Sequence, residues 1–172
     1  MAANLTNLKS GQPGDISRAE GNFEAVWIDG TTNTPGAFGI PFKMVNGKAQ
    51  TIEAADTAND FYGILSRNIP AEGNRTDNQT FGAGVPNAQQ AARTVRGVGY
   101  CIVSCADGTP ARGGAVFMVI NTAGGGALGD LRTTADGANT VQLNGVCWAV
   151  DGRDTTNFNA AELATLGPTN VA

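Results

Sequence analysis

Apolar and polar residues alternate in short runs along this chain, and glycine, proline, asparagine or aspartate closes each run. Phe23-Glu24-Ala25-Val26-Trp27-Ile28, ended by Asp29-Gly30, predicts a strand. Phe38 to Val45 predicts another, with Pro41 confining it to an edge or a bulge. Asn46-Gly47, followed by the strand-like Ala49 to Glu53, is the strongest hairpin signal, because Asn-Gly suits the positive φ angles of a type I′ turn. Further strands are predicted at Phe61 to Arg67, Thr94 to Cys105, Ala115 to Ile120, Leu128 to Thr133 and Thr140 to Val150. Ala160 to Leu166 reads as one or two helical turns, closed by Gly167-Pro168. No segment has the periodicity of a long helix, and no long internal repeat is visible. Asn68 to Gln90 is a long connection of the kind that is usually functional or mobile.

Turn signals recur roughly every 8 to 15 residues, which predicts an all-β fold: a compact β-barrel or β-sandwich with few short helices. Residues 1–20 are polar, with Gly11, Pro13 and Gly14 close together, and are expected to form an extended N-terminal arm whose only sizeable apolar side chains are Leu5, Leu8 and Ile16. The β domain is expected over 21–152, with a C-terminal tail over 153–172. Composition agrees with strands and turns: glycine supplies 24 of 172 residues, and only 15% are charged against about 25% in an average chain.

The formal net charge is −4 and Lys and Arg are scattered singly, which argues against nucleic acid as a partner. No window approaches the roughly 18 apolar residues of a membrane span. The N-terminal segment lacks a charged region followed by an apolar one, so no signal peptide is expected and synthesis belongs to a cytoplasm. Histidine is absent, which removes His-based triads and most catalytic zinc sites.

Gly124, Gly126 and Gly129 match G-x-G-x-x-G behind the apolar run Val116 to Ile120. A dinucleotide loop needs a helix immediately afterwards to hold the pyrophosphate, whereas Leu131 to Gly137 contains β-branched Thr133 and Thr134 and then a turn. The glycines are therefore expected to form a hairpin loop, with no cofactor. Cys101 and Cys105 would lie on one face of a strand, roughly 13 Å apart, too far for a disulfide; with Cys147 they are expected to be buried free thiols, and no metal site is expected. The carboxylate pairs Glu20 with Glu24, Asp56 with Asp60, and Asp151 with Asp154 stand at turns, where such residues cap backbone. Trp27 and Trp148 lie in strand patterns and are expected in the core or at a subunit contact. No catalytic residue is expected. Val116 to Ile120 is apolar throughout, so both strand faces should be covered, one of them by a neighbouring copy in a homo-oligomer.

Taken together, the order of the turn motifs is distinctive. Gly11-Gln12-Pro13-Gly14-Asp15-Ile16-Ser17-Arg18 opens a series that continues through Phe38-Gly39-Ile40-Pro41, Asn46-Gly47-Lys48-Ala49 and Asp60-Phe61-Tyr62-Gly63-Ile64-Leu65-Ser66-Arg67. It resumes at Arg96-Gly97, Gly108-Thr109-Pro110-Ala111-Arg112-Gly113-Gly114 and Ala135-Asp136-Gly137-Ala138-Asn139-Thr140-Val141. Over about residues 11 to 150 the chain resembles the structural cement, or head decoration, proteins of tailed bacteriophages; the tail after Asp151 departs from that pattern. The resemblance implies a β-tulip-like protein, made in the host cytoplasm, that binds the outer capsid surface of the virion and clamps neighbouring major capsid protein subunits. It implies no enzyme activity and no cofactor, and a homo-oligomer, with a trimer favoured over a dimer. Leu5, Leu8, Pro13 and Ile16 are the expected capsid contacts, on an arm that adds a strand to a capsid sheet. The alternative is a receptor- or carbohydrate-binding β module of a phage tail or fibre, which would need an aromatic-lined site from only two Trp and two Tyr.

Overall fold

The computed structural model describes residues 13–18, 21–67, 91–156 and 158–167. Its strands are β1 (Phe23–Ile28), β2 (Pro41–Val45), β3 (Lys48–Thr51), β4 (Gly63–Ser66), β5 (Ala91–Val95), β6 (Gly97–Asp107), β7 (Ala115–Val119), β8 (Leu131–Arg132), β9 (Thr140–Trp148) and β10 (Ala160–Gly167). Two short 3-10 turns, Thr122–Gly124 and Gly137–Asn139, are the only helical elements among the described residues. The all-β barrel expectation holds, and the strands divide between two closed barrels.

The first barrel runs β1-β3-β2-β4-β5 and the second β6-β8-β7-β9-β10, each ring closing on itself. Their pairings correspond one for one. β1 with β3 and β6 with β8 are parallel; β2 with β3 and β7 with β8, β2 with β4 and β7 with β9, β4 with β5 and β9 with β10, and β1 with β5 and β6 with β10 are antiparallel. The molecule is thus a topological duplication, although the sequence shows no repeat. Register and burial specify a β fold through alternation alone, so two halves can share a topology without sharing residues.

The correspondence explains the glycine stretch. In the first barrel β2 and β3 are joined by Asn46-Gly47, at φ 51° and 75°, as a tight primed turn requires. Residues 120–130 stand at the same place between β7 and β8. They form an enlarged hairpin loop in which Gly125, Gly126 and Gly129 adopt positive φ, and a Cβ on Gly124 would meet the side chains of Asp136 and Asn139. β8 follows with no helix between.

The barrels meet at a two-stranded ribbon. β5 and β6 are separated by Arg96 alone. Opposite them, residues 14–18 and 21–22 lie as a strap along β6, through Gly14 N–H to Ile102 O, Ile102 N–H to Asp15 O, Ser17 N–H to Tyr100 O and Asn22 N–H to Val98 O. The chain then becomes β1 and pairs with β5. Each barrel's first strand is therefore edged by the segment leading into the other's. The larger core cluster spans both barrels, with Ile52, Phe61, Ile64 and Val95 of the first packed with Cys101, Val103, Met118, Leu131, Leu143, Trp148 and Leu163 of the second; a smaller one, Val26, Ile28, Phe42, Ala49, Leu65 and Ala92, fills the first.

Two expectations change. Ala160 to Leu166 is strand β10, hydrogen-bonded between β6 and β9, and not helical turns. Its alanines, leucines and glutamate favour helix by propensity, but two flanking strands bury residues 160–165 on both faces and override it. β7, whose apolar run suggested cover from a second copy, is buried within its own chain at Val116, Met118 and Val119, with Phe117 half-buried.

Candidate functional site

The outer surface of the β6–β10 pair carries a polar cluster of Arg18, Tyr100 and Glu162. Odd-numbered residues of both strands fill the barrel, so Val98, Tyr100, Ile102 and Ser104 of β6 face outward beside Leu166, Ala164, Glu162 and Ala160 of β10. Arg18 lies across this face. Its guanidinium sits 4.0 Å from the Tyr100 ring centroid and grips Glu162 with Nε 3.1 Å from Oε1 and Nη2 2.7 Å from Oε2. Burial pushes the Glu162 carboxyl up, but the hydrogen bonds and charge of Arg18 outweigh it and leave the pKa below the ordinary value. Arg67 holds the other end of the strap: its Nε donates to Pro13 O at 3.0 Å, its N–H to Gly14 O at 2.8 Å, and it approaches Asp15 at 3.7 Å. Gly14 has φ 93° and packs so closely that a Cβ would stand 2.5 Å from Phe38 Cβ.

Beside the strap an open cleft of about 510 Å³ is lined by Ser17, Ile102, Val150, Asp151, Asp154 and Glu162, among others. Its lining carries three carboxylates, Asp151, Asp154 and Glu162, and the guanidinium of Arg153.

Of the residues expected to contact a partner, Leu5 and Leu8 lie outside the described residues. Pro13 and Ile16 lie on the strap; Ile16 bridges Cys101 and packs, partly buried, against the molecule's own core. The carboxylate pairs do not assemble: Glu20 is outside the described residues, Glu24 accepts from Tyr62 and Arg96, Asp56 holds Lys43, Asp60 caps Thr57, Asp151 accepts from Arg112 N–H, and Asp154 caps Thr156. All three cysteines are free. Cys101 lies inside the second barrel, where burial pushes its thiol up to about 12, and burial raises Cys105 as well. Among the described residues no three His, Cys, Asp or Glu side chains gather as a metal site.

The tryptophans separate. Trp148 is core, whereas Trp27 is 59% exposed on β1, and Phe158, which sequence reasoning passed over, is 68% exposed just before β10. The two exposed aromatics stand on different barrels and do not form one platform. The corner next to Trp27 is fixed by Asp29, which accepts from the Thr31 N–H, the Gln50 amide and the Thr31 hydroxyl. Those donors, the Thr31 N–H foremost, lower its carboxyl pKa to about 2. Arg18, Tyr100 and Glu162 were not legible as a cluster, since 144 positions separate Arg18 from Glu162.

The family model described as XM1 gp53 minor capsid protein matches residues 1–160. The chain belongs to this family. No curated protein matches it. A solved chain from the capsid of Myoviridae phage XM1 has the same fold, with TM-score 0.65 at 16% identity, over 96% of this chain and 98% of that one. Membership in the minor capsid protein family gives the chain a structural role in a phage capsid and places it in the virion. The resemblance read from the order of the turn motifs holds at that level.

Proposed function

We propose that this minor capsid protein acts as cement: it binds the outer surface of the shell and clamps neighbouring major capsid protein subunits. The observation that carries the reading is the pair of equivalent barrels locked by one continuous antiparallel ribbon, in a chain of a capsid family. A rigid two-headed body suits bridging, because once one contact forms the second forms at high effective concentration. Residues 1–12, with Leu5 and Leu8, precede a strap pinned to β6 and Arg67, so this segment starts from a fixed point and supplies a further contact. Pro13 and Ile16 act by holding the strap. The role needs no catalytic residue and no cofactor. Decoration at three-fold positions would make it a trimer and at two-fold positions a dimer; light scattering of the purified protein shows whether it is a monomer until it meets the capsid.

The test is co-sedimentation with undecorated capsids. The protein should pellet with the shells and raise the temperature at which they open. Deleting residues 1–12, which leaves Pro13 and Gly14 in place, should weaken pelleting without changing the free protein's thermal midpoint. Shells that neither bind it nor gain heat resistance would refute the reading.

A further inference from the structure

The two barrels differ at one strand edge. Trp27 of β1 pairs with Ala91 at the start of β5, and Ser104 of β6 pairs with Ala160 at the start of β10, so Trp27 matches Ser104 in register. Counting back, Ala25 matches Ile102 and Phe23 matches Tyr100. In both barrels the parallel neighbour arrives late: β3 begins at Lys48 beside Trp27, and β8 at Leu131 beside Cys105. The first half of β1 and of β6 lies before it. In the second barrel the strap fills that gap, antiparallel to β6. Gly14 N–H donates to Ile102 O at 2.8 Å, Ile102 N–H to Asp15 O at 2.8 Å and Ser17 N–H to Tyr100 O at 3.3 Å.

In the first barrel the same edge is open. Arg96 N–H donates to Asn22 O, so even-numbered residues of β1 turn their backbone groups toward β5 and odd-numbered ones turn theirs away. Asp29 N–H, donating to Ala49 O at 3.0 Å, shows that the odd side faces β3. Among the described residues no strand pairs with Phe23 or Ala25 on that side, and Ala25 is exposed. An unpaired edge is a template for another extended segment.

We propose that this edge takes residues 1–12 of a second copy, antiparallel to β1, when the copies are neighbours on the shell. The chain's own N-terminal strap already fills the matching edge of the other barrel. Asn4-Leu5-Thr6 repeats the order of Asp15-Ile16-Ser17, the strap residues that lie along β6: an Asn or Asp, an aliphatic residue, then a Ser or Thr. A copy's own arm would have to double back. Ala25 stands beside Arg93 and Gly14 beside Ile102, roughly 30 Å apart along the β5–β6 run. Residues 5 to 14 reach about that far only when fully extended, which leaves nothing for the reversal. Each copy thus gives one arm and takes one, a heterologous contact that closes as a ring. The proposal rests on the cement reading and names the partner of residues 1–12.

The test mixes full-length variants on undecorated capsids. Ala25→Pro removes an N–H that faces away from β5 and blocks the accepting edge; Leu5→Pro blocks the donated arm. Each alone should melt like the parent protein but saturate shells without cooperativity, at an apparent affinity about tenfold or more lower. An equal mixture should recover part of the loss, because Ala25→Pro copies still give an arm and Leu5→Pro copies still take one. Hydrogen exchange at the Ala25 amide should be fast in the free protein and slow on decorated shells. Absence of recovery in the mixture would overturn the proposal, since the edge would then take a strand of the shell subunit. So would parental binding by Ala25→Pro, or an Ala25 amide already protected in the free protein. Parental protein that fails to bind shells would overturn the cement reading itself.

Discussion

Asp29 shows how one buried carboxylate sets an acid limit on the fold. Its pKa falls from 3.8 to about 2 because Thr31 and Gln50 donate to the ionised form. A depressed carboxyl pKa contributes stability that is complete above the unfolded value and is lost as pH drops through the folded one. Stability should therefore decline between about pH 4 and pH 2, and Asp29→Asn should lower stability at neutral pH and flatten that part of the acid slope in urea titrations. An unchanged slope would show that the corner beside Trp27 is held otherwise. Glu162 acts in the same direction through Arg18. Because the Arg18 side chain is 45% exposed, Arg18→Ala should change global stability little. Its larger effect should be local: hydrogen exchange at the Ile102 amide, which donates to Asp15 O on the strap, should accelerate. Unaltered exchange there would mean that Arg67 alone fixes the strap.

At the scale of elements, β10 tests the second barrel. Leu163 points inward opposite Cys101 and Trp148 and is fully buried, whereas Leu166 faces out. Leu163→Ala should cost about 2–5 kcal/mol and Leu166→Ala no more than about 0.5 kcal/mol, measured by chemical unfolding. Equal effects would contradict the register. Most strands were legible in the sequence, because alternation and turn residues such as Asn46-Gly47 act locally. β10 was not, since Ala-Ala-Glu-Leu-Ala-Thr-Leu carries helix formers and becomes a strand only between β6 and β9. Gly124 to Gly129 was readable as a loop from the missing helix, but its place as the counterpart of Asn46-Gly47 needed the ring order. Of the exposed aromatics, Trp27 was readable only as core or contact, and Phe158 gave no local signal.

For the whole molecule, the shared core and the ribbon at Arg96 join the two barrels, which should therefore unfold as one cooperative unit. Calorimetry should show a single transition; two would mean that the heads fold independently and that the clamp is flexible. The duplicated topology and the strap that ties the two barrels together belong to a member of a minor capsid family. The central claim is that this protein bridges neighbouring shell subunits from outside. Cryo-electron microscopy of the intact particle tests it most directly. Density for both barrels should lie on the outer lattice, each contacting a different major capsid protein subunit. Density confined to the tail, or on the shell's inner surface, would contradict the account.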